Sequence, residues 1–138
     1  MEIYLDNSAT TRVSDTVAAL IHRVMTEEYG NPSSLHRKGF LAEQRMTAAR
    51  EQIAAVLGAR REEIAFTSCG SETNNLAVLG AVRANRRTGS KVVTTAVEHD
   101  SLLAAAAQLE KEGFHVVREG PRSDGSLDPH EVAGQVDE

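Results

Sequence analysis

The chain has 138 residues, 15 Lys+Arg against 20 Asp+Glu for a formal net charge of −5, and a single cysteine. A net-acidic chain without Lys/Arg-rich runs is a poor sequence-independent nucleic-acid binder, and one thiol cannot close an internal disulfide. No CxxC or HExxH spacing suggests a metal site, and the longest apolar run, Leu102–Ala107, falls far short of the ~20 residues that cross a bilayer.

The opening Met-Glu-Ile-Tyr-Leu-Asp shows no basic or apolar leader pattern, and a reducing cytoplasm is the expected setting. Residues 1–13 read as a brief extended segment running into a small-residue loop, Asp6 to Thr11. Ser14 is the expected N-cap of a first helix, with Asp15 in its first turn and Val17, Leu20, Ile21, Val24 and Met25 on one face. Gly30-Asn31-Pro32 is expected to end it. A polar loop, Asn31 to His36, leads into a long helix over 37–57, with Gly58 as its C-terminal cap and Arg60 and Arg61 near its last carbonyls.

The pattern then changes. Ile64 to Thr67 reads as a strand, Ser68 to Ser71 as a turn, and Glu72 as the opening of a helix to about Arg87. Lys91 to Val97 is a β-branched strand, Asp100 or Ser101 starts a helix to Gly113, and Phe114 to Val117 is a third strand. Asp128-Pro129 marks one more helix start, a cap followed by proline at the first helical position. This βαβαβ order predicts an α/β fold with a parallel sheet behind N-terminal helices. Three strands make a small sheet against a usual ~5–6. Aromatics are 4% of the chain, with no Trp. Both features lead us to expect that part of the core lies outside this sequence.

Two strand tips carry the chemistry-bearing residues. At Phe66-Thr67-Ser68-Cys69-Gly70-Ser71-Glu72 a strand gives way to a helix, whose unpaired N–H groups favour an anion such as phosphate. Gly70 allows close approach and the Ser71 hydroxyl can donate; the alternative is an ordinary turn with Ser71 as N-cap. His99 follows the next strand, so both should lie on the rim where open α/β sheets bind ligands. Its ring could stack on a flat ligand or act as a base, or simply bond nearby backbone. Cys69 is read as a small, semi-buried turn residue rather than a nucleophile. Lys38, Lys91 and Lys111 lie in no setting that suggests a covalent role. The loops around Asn7 and Asn31 can line a polar site, or be plain turns.

Taken together these motifs are familiar. Tyr4-Leu5-Asp6-Asn7-Ser8-Ala9-Thr10-Thr11 resembles the Y-L-D-N-A-A-T-T opening of NifS/IscS-type cysteine desulfurases. Gly30 to His36 is similar to their G-N-P-S-S-x-H loop, Phe66 to Ala77 to their F-T-S-G-x-T-E-x-x-N-L-A segment, and Glu98-His99 to their E-H. The resemblance spans essentially the whole chain, with the motifs in the family's order.

It implies a pyridoxal-phosphate enzyme of aminotransferase fold type I, class V, that converts L-cysteine to L-alanine and passes the sulfur on as a persulfide. Iron–sulfur cluster assembly and tRNA thiolation are the implied uses. Gly70 and Ser71 would hold the cofactor phosphate, and His99 would stack on the pyridine ring and shuttle protons. Asn7 and Asn31 would line the active site near a homodimer interface. Residues 1–13 would open the small domain, and 14–138 would form part of the large cofactor domain.

Two departures are Cys69 for the family's glycine and Ser71 for its threonine; serine keeps the hydroxyl. No S-x-H-K motif occurs, so the lysine that anchors the cofactor aldehyde is absent, as are the family's ring-pairing aspartate, substrate arginine and nucleophilic cysteine. The expectation is therefore an N-terminal portion, inactive alone, that needs the C-terminal remainder and delivers sulfur to an acceptor protein. A selenocysteine lyase or class V aminotransferase, or a non-catalytic dimerisation scaffold, are the alternatives.

Overall fold

In the computed structural model, which describes residues 3–136, Ser14 starts the first helix as expected. Its Oγ accepts from the Val17 amide at 3.4 Å and α1 runs Asp15–Thr26. The helix stops there, ahead of the glycine and proline expected to end it. Its apolar stripe forms, yet none of its residues is buried. After the polar loop, α2 spans Arg37–Leu57 and ends at Gly58, whose φ of +64° is left-handed and suits a residue without Cβ. Arg60 and Arg61 do not cover the last carbonyls of α2. They sit at a 3-10 turn, Arg61–Glu63, where Arg60 pairs with Glu63 and Arg61 with Glu62 and Glu51. Arg50 of α2 donates from Nε to the Ile64 carbonyl at 3.2 Å, fixing that turn on the helix. These elements form one unit, ending at Ala65.

The second unit begins at Phe66. Helix α3 covers Gly70–Ala84, β1 Lys91–Thr95, α4 Asp100–Lys111, β2 His115–Glu119 and α5 Pro129–Gly134. The strands pair in parallel, from Lys91 opposite His115 to Thr95 opposite Glu119, with α4 as the crossover. Asp128 caps α5 through the His130 amide, with Pro129 next, as the sequence predicted. The small core gathers on one face of α4: Ala105, Ala106 and Leu109 are buried together with Phe114. The Arg86 guanidinium lies over the Phe114 ring, 5.1 Å from its centre. On the outside, Arg118 of β2 forks onto Glu110 of α4.

One expectation fails. Ile64 to Thr67 is not a strand, and the sheet of the described residues has two strands rather than three. Ile64 keeps extended dihedrals, φ −96° and ψ +116°. A strand, however, is defined by its ladder, and this segment is in none. The α/β class and the parallel arrangement hold, with one βαβ unit where βαβαβ was predicted. No described helix is long and apolar enough to cross a membrane.

Candidate functional site

The N-terminus of α3 is built from four small residues and one acid. Cys69 occupies the cap position with extended dihedrals, but its side chain makes no capping hydrogen bond. Glu72 instead folds back, its Oε2 accepting from both the amide and the hydroxyl of Ser68 at 2.6 Å. Ser71 therefore is not the cap. It lies in the first turn, exposed, with a hydroxyl that bonds to no other described residue. A Cβ built on Gly70 would meet nothing within 4 Å, so the helix end is open space. Cys69 is exposed rather than semi-buried. The Glu72 amide, then the Ser68 hydroxyl, hold its thiol below the usual cysteine range. Those N–H groups thus already favour a negative charge.

The N-terminus of α4 is capped by His99. Its Nδ1 accepts from the Ser101 amide at 3.1 Å and stands 2.9 Å from Ser101 Oγ. Just before it, Glu98 accepts from the Thr95 hydroxyl at 2.8 Å. Asn74 of α3 reaches across to Ser101 of α4, Nδ2 to Oγ at 2.9 Å. At the other end Arg83 of α3 meets Glu112, which caps α4. Early residue joins early residue and late joins late, so α3 and α4 run side by side in the same direction. Their N-termini, with Gly70 and Ser71 on one and His99 on the other, share one end of the unit. That common end was the sequence expectation; α3 simply reaches it from an extended segment rather than a strand.

The remaining predicted residues belong to the first unit. Asn7 Nδ2 donates to the Tyr4 carbonyl at 3.4 Å, and the Thr11 hydroxyl to the Asn7 carbonyl at 3.2 Å. Asn31 Oδ1 accepts from the Ser33 amide at 2.9 Å, an Asx turn. His36 caps α2 through Nδ1, which accepts from the Gly39 amide at 3.3 Å. Gly39 is buried where this loop closes over it: a Cβ there would fall 2.1 Å from the Ser34 carbonyl oxygen. Asn74 and Ser101 were missed in the sequence, since two helix residues of ordinary type 27 positions apart carry no motif.

Chemically, this end of the second unit offers first-turn amides, an unengaged hydroxyl, open space over a glycine and one imidazole. The two helix dipoles add there. The donor set fits a phosphate group, and no cluster of described residues fits a metal ion.

The model of the family described as "Aminotransferase class-V" matches residues 3–138. A cysteine desulfurase of a Nostoc species is 44% identical over 134 residues, which is 97% of this chain and 33% of that protein. The cysteine desulfurase IscS of Photorhabdus laumondii is 40% identical over 139 residues, 99% of this chain and 34% of that one. Among solved structures, a NifS-like protein superposes with a TM-score of 0.88 at 37% identity, covering 100% of this chain and 38% of its own. The chain thus spans about a third of the length of the curated relatives it matches.

Proposed function

The chain belongs to the class-V aminotransferase family, and from that premise we propose that it holds the phosphate and pyridine ring of pyridoxal phosphate in a cysteine desulfurase. The observation that carries this reading is the shared end of α3 and α4, with Gly70 and Ser71 beside His99. The first-turn amides of α3 and the Ser71 hydroxyl would hold the phosphate, and His99 would meet the pyridine ring. When bound, pyridoxal phosphate supplies an electron sink for bond cleavage at an amino acid's α and β carbons. The chain's part would be to orient the group by its phosphate and to hold a proton on His99 beside its ring. The substrate-loop roles that the family resemblance implies for Asn7 and Asn31 belong to the same proposal.

The relatives' name, cysteine desulfurase, supports L-cysteine as substrate; L-alanine and a persulfide as products belong to the proposal. Iron–sulfur cluster assembly or tRNA thiolation, a sulfur acceptor protein, a homodimer and a cytoplasmic setting belong to the same proposal. So do residues 1–13 as the opening of a small domain and 14–138 as part of the cofactor domain.

Equilibrium titration with pyridoxal phosphate, beside pyridoxal without its phosphate, tests the cofactor site. We expect pyridoxal to bind at least ~10-fold more weakly, since charge-assisted hydrogen bonds contribute about 1.5–3 kcal/mol each. Equal affinity for the two would overturn the assignment.

A further inference from the structure

The two ring nitrogens of His99 stand in different settings. Nδ1 lies 3.1 Å from the Ser101 amide nitrogen and 2.9 Å from Ser101 Oγ. A backbone N–H only donates, so Nδ1 turns its lone pair toward α4 and carries no proton. The Ser101 hydroxyl, pressed against that lone pair, directs its own proton there. Its oxygen is then left to accept, and Asn74 Nδ2 supplies the donor at 2.9 Å from the neighbouring helix. An amide NH₂ also only donates. The result is a one-way chain: Asn74 N–H to Ser101 O–H to His99 Nδ1. Hydrogen bonds aligned in this way polarise one another. Asn74 and Ser101 are half-buried, whereas the ring of His99 is exposed.

We infer that Asn74 and Ser101 are positioning residues for His99. The Ser101 amide and hydroxyl hold its neutral ring in the Nε2–H tautomer, with Asn74 aligning the hydroxyl, so that the open edge of the ring offers a donor and not an acceptor. Two donors converging on Nδ1 also confine the ring plane more narrowly than the backbone bond alone. A ligand meeting that edge is met by a donor suited to a carboxylate, carbonyl or phenolate oxygen. Neutral His99 therefore presents no lone pair at Nε2, which sets that nitrogen as a hydrogen-bond donor rather than as a base. This use of the ring rests on the cofactor reading above; the tautomer does not.

The test is long-range ¹H–¹⁵N correlation of the imidazoles in the ¹⁵N-labelled chain, at a pH of about 8, above the ordinary histidine range. His99→Gln identifies the His99 signals among those of five histidines. The wild-type chain should show the Nε2–H pattern. In Asn74→Asp a carboxylate accepts where the amide donated. The Ser101 hydroxyl then turns toward it and leaves Nδ1 to the Ser101 amide alone, so the Nε2–H pattern stays while relaxation of the His99 Cε1–H group shows increased ring motion. A wild-type Nδ1–H or averaged pattern overturns the inference, and so does Asn74→Asp ring motion like that of wild type in a chain whose amide spectrum remains dispersed. Should Asn74→Asp not fold, Ser101→Ala gives a second readout. Relaxation of the His99 Cε1–H group should show increased ring motion, restored in Ser101→Thr, and unchanged motion overturns the inference. Adding pyridoxal phosphate separates the two readings. If the tautomer is as stated but the His99 signals do not move, the cofactor reading falls and the positioning role stands.

Discussion

Arg83 on α3 clasps Glu112 at the end of α4, Nη2 to Oε1 at 2.5 Å and Nε to Oε2 at 3.0 Å. This fork closes the C-terminal ends of two parallel helices whose N-terminal ends are tied by Asn74 and Ser101. The guanidinium, with help from Gln108, pulls the Glu112 carboxyl down to about 2. A carboxyl lowered by folding stabilises the folded chain above its unfolded value, and that contribution drains away as pH falls toward the folded value. The window here runs from about 4.5 down to about 2. Melting temperatures of the wild type and Glu112→Gln should differ by a few degrees at neutral pH and converge across that window, less steeply in high salt. Parallel curves would exclude the pair as a pH-dependent clasp.

Two glycines should respond in opposite ways to alanine. At Gly39 a Cβ would sit 2.1 Å from the Ser34 carbonyl oxygen and 2.7 Å from that of Asn31, all backbone. The loop must shift, and Gly39→Ala should cost about 2 kcal/mol or more in urea unfolding, in the manner of an overpacked core. At Gly70 nothing lies within 4 Å. Gly70→Ala should change stability by less than about 1 kcal/mol and yet weaken pyridoxal phosphate binding, because the methyl group enters the space given to the phosphate. A Gly70→Ala chain that binds the cofactor unchanged would remove Gly70 from the site.

What was legible in the sequence is what is encoded within a few residues. Ser14, Gly58 and Asp128-Pro129 mark helix ends through bonds to amides or carbonyls two to four positions away, and each was placed correctly. Ile64 to Thr67 has strand composition, but a strand exists only with a partner at ladder distance, which composition does not encode. Ser71 looked like a cap because serines often cap; Glu72 binding Ser68 moved the start of the helix two residues earlier than expected. His99 was found by its place after a strand. The confinement of its ring depends on Asn74, a contact that only the packing of α3 against α4 creates.

The chain's lysines bear on turnover. Lys91 opens β1, whose other end leads to His99, and Lys111 closes α4, at the end away from His99. Lys38, in the first unit, lies over the Tyr29 ring at 3.8 Å. With pyridoxal phosphate and L-cysteine, this chain alone should release no alanine above the rate of free cofactor. The comparison is alanine formed by the chain against alanine formed by cofactor in buffer. Turnover abolished by Lys91→Arg or Lys111→Arg would show that an anchoring lysine is present after all.

Cys69 gives a second, independent view of the α3 N-terminus. The Glu72 amide, the Ser68 hydroxyl and the Ser71 amide all lower its thiol, against burial and the Glu72 charge. The thiolate fraction at neutral pH is raised accordingly, and the side chain is exposed. Cys69 should react with iodoacetamide a few-fold faster than a cysteine in an unstructured peptide, with its pH profile displaced to lower pH. The same amides are those assigned to the cofactor phosphate, and one helix end cannot hold two anions at full strength. Pyridoxal phosphate, and inorganic phosphate at higher concentration, should therefore slow labelling, whereas pyridoxal should not. If pyridoxal phosphate binds the chain and Cys69 still labels at its unprotected rate, the phosphate sits elsewhere, and the first turn of α3 is an anion-favouring cap that the cofactor does not use.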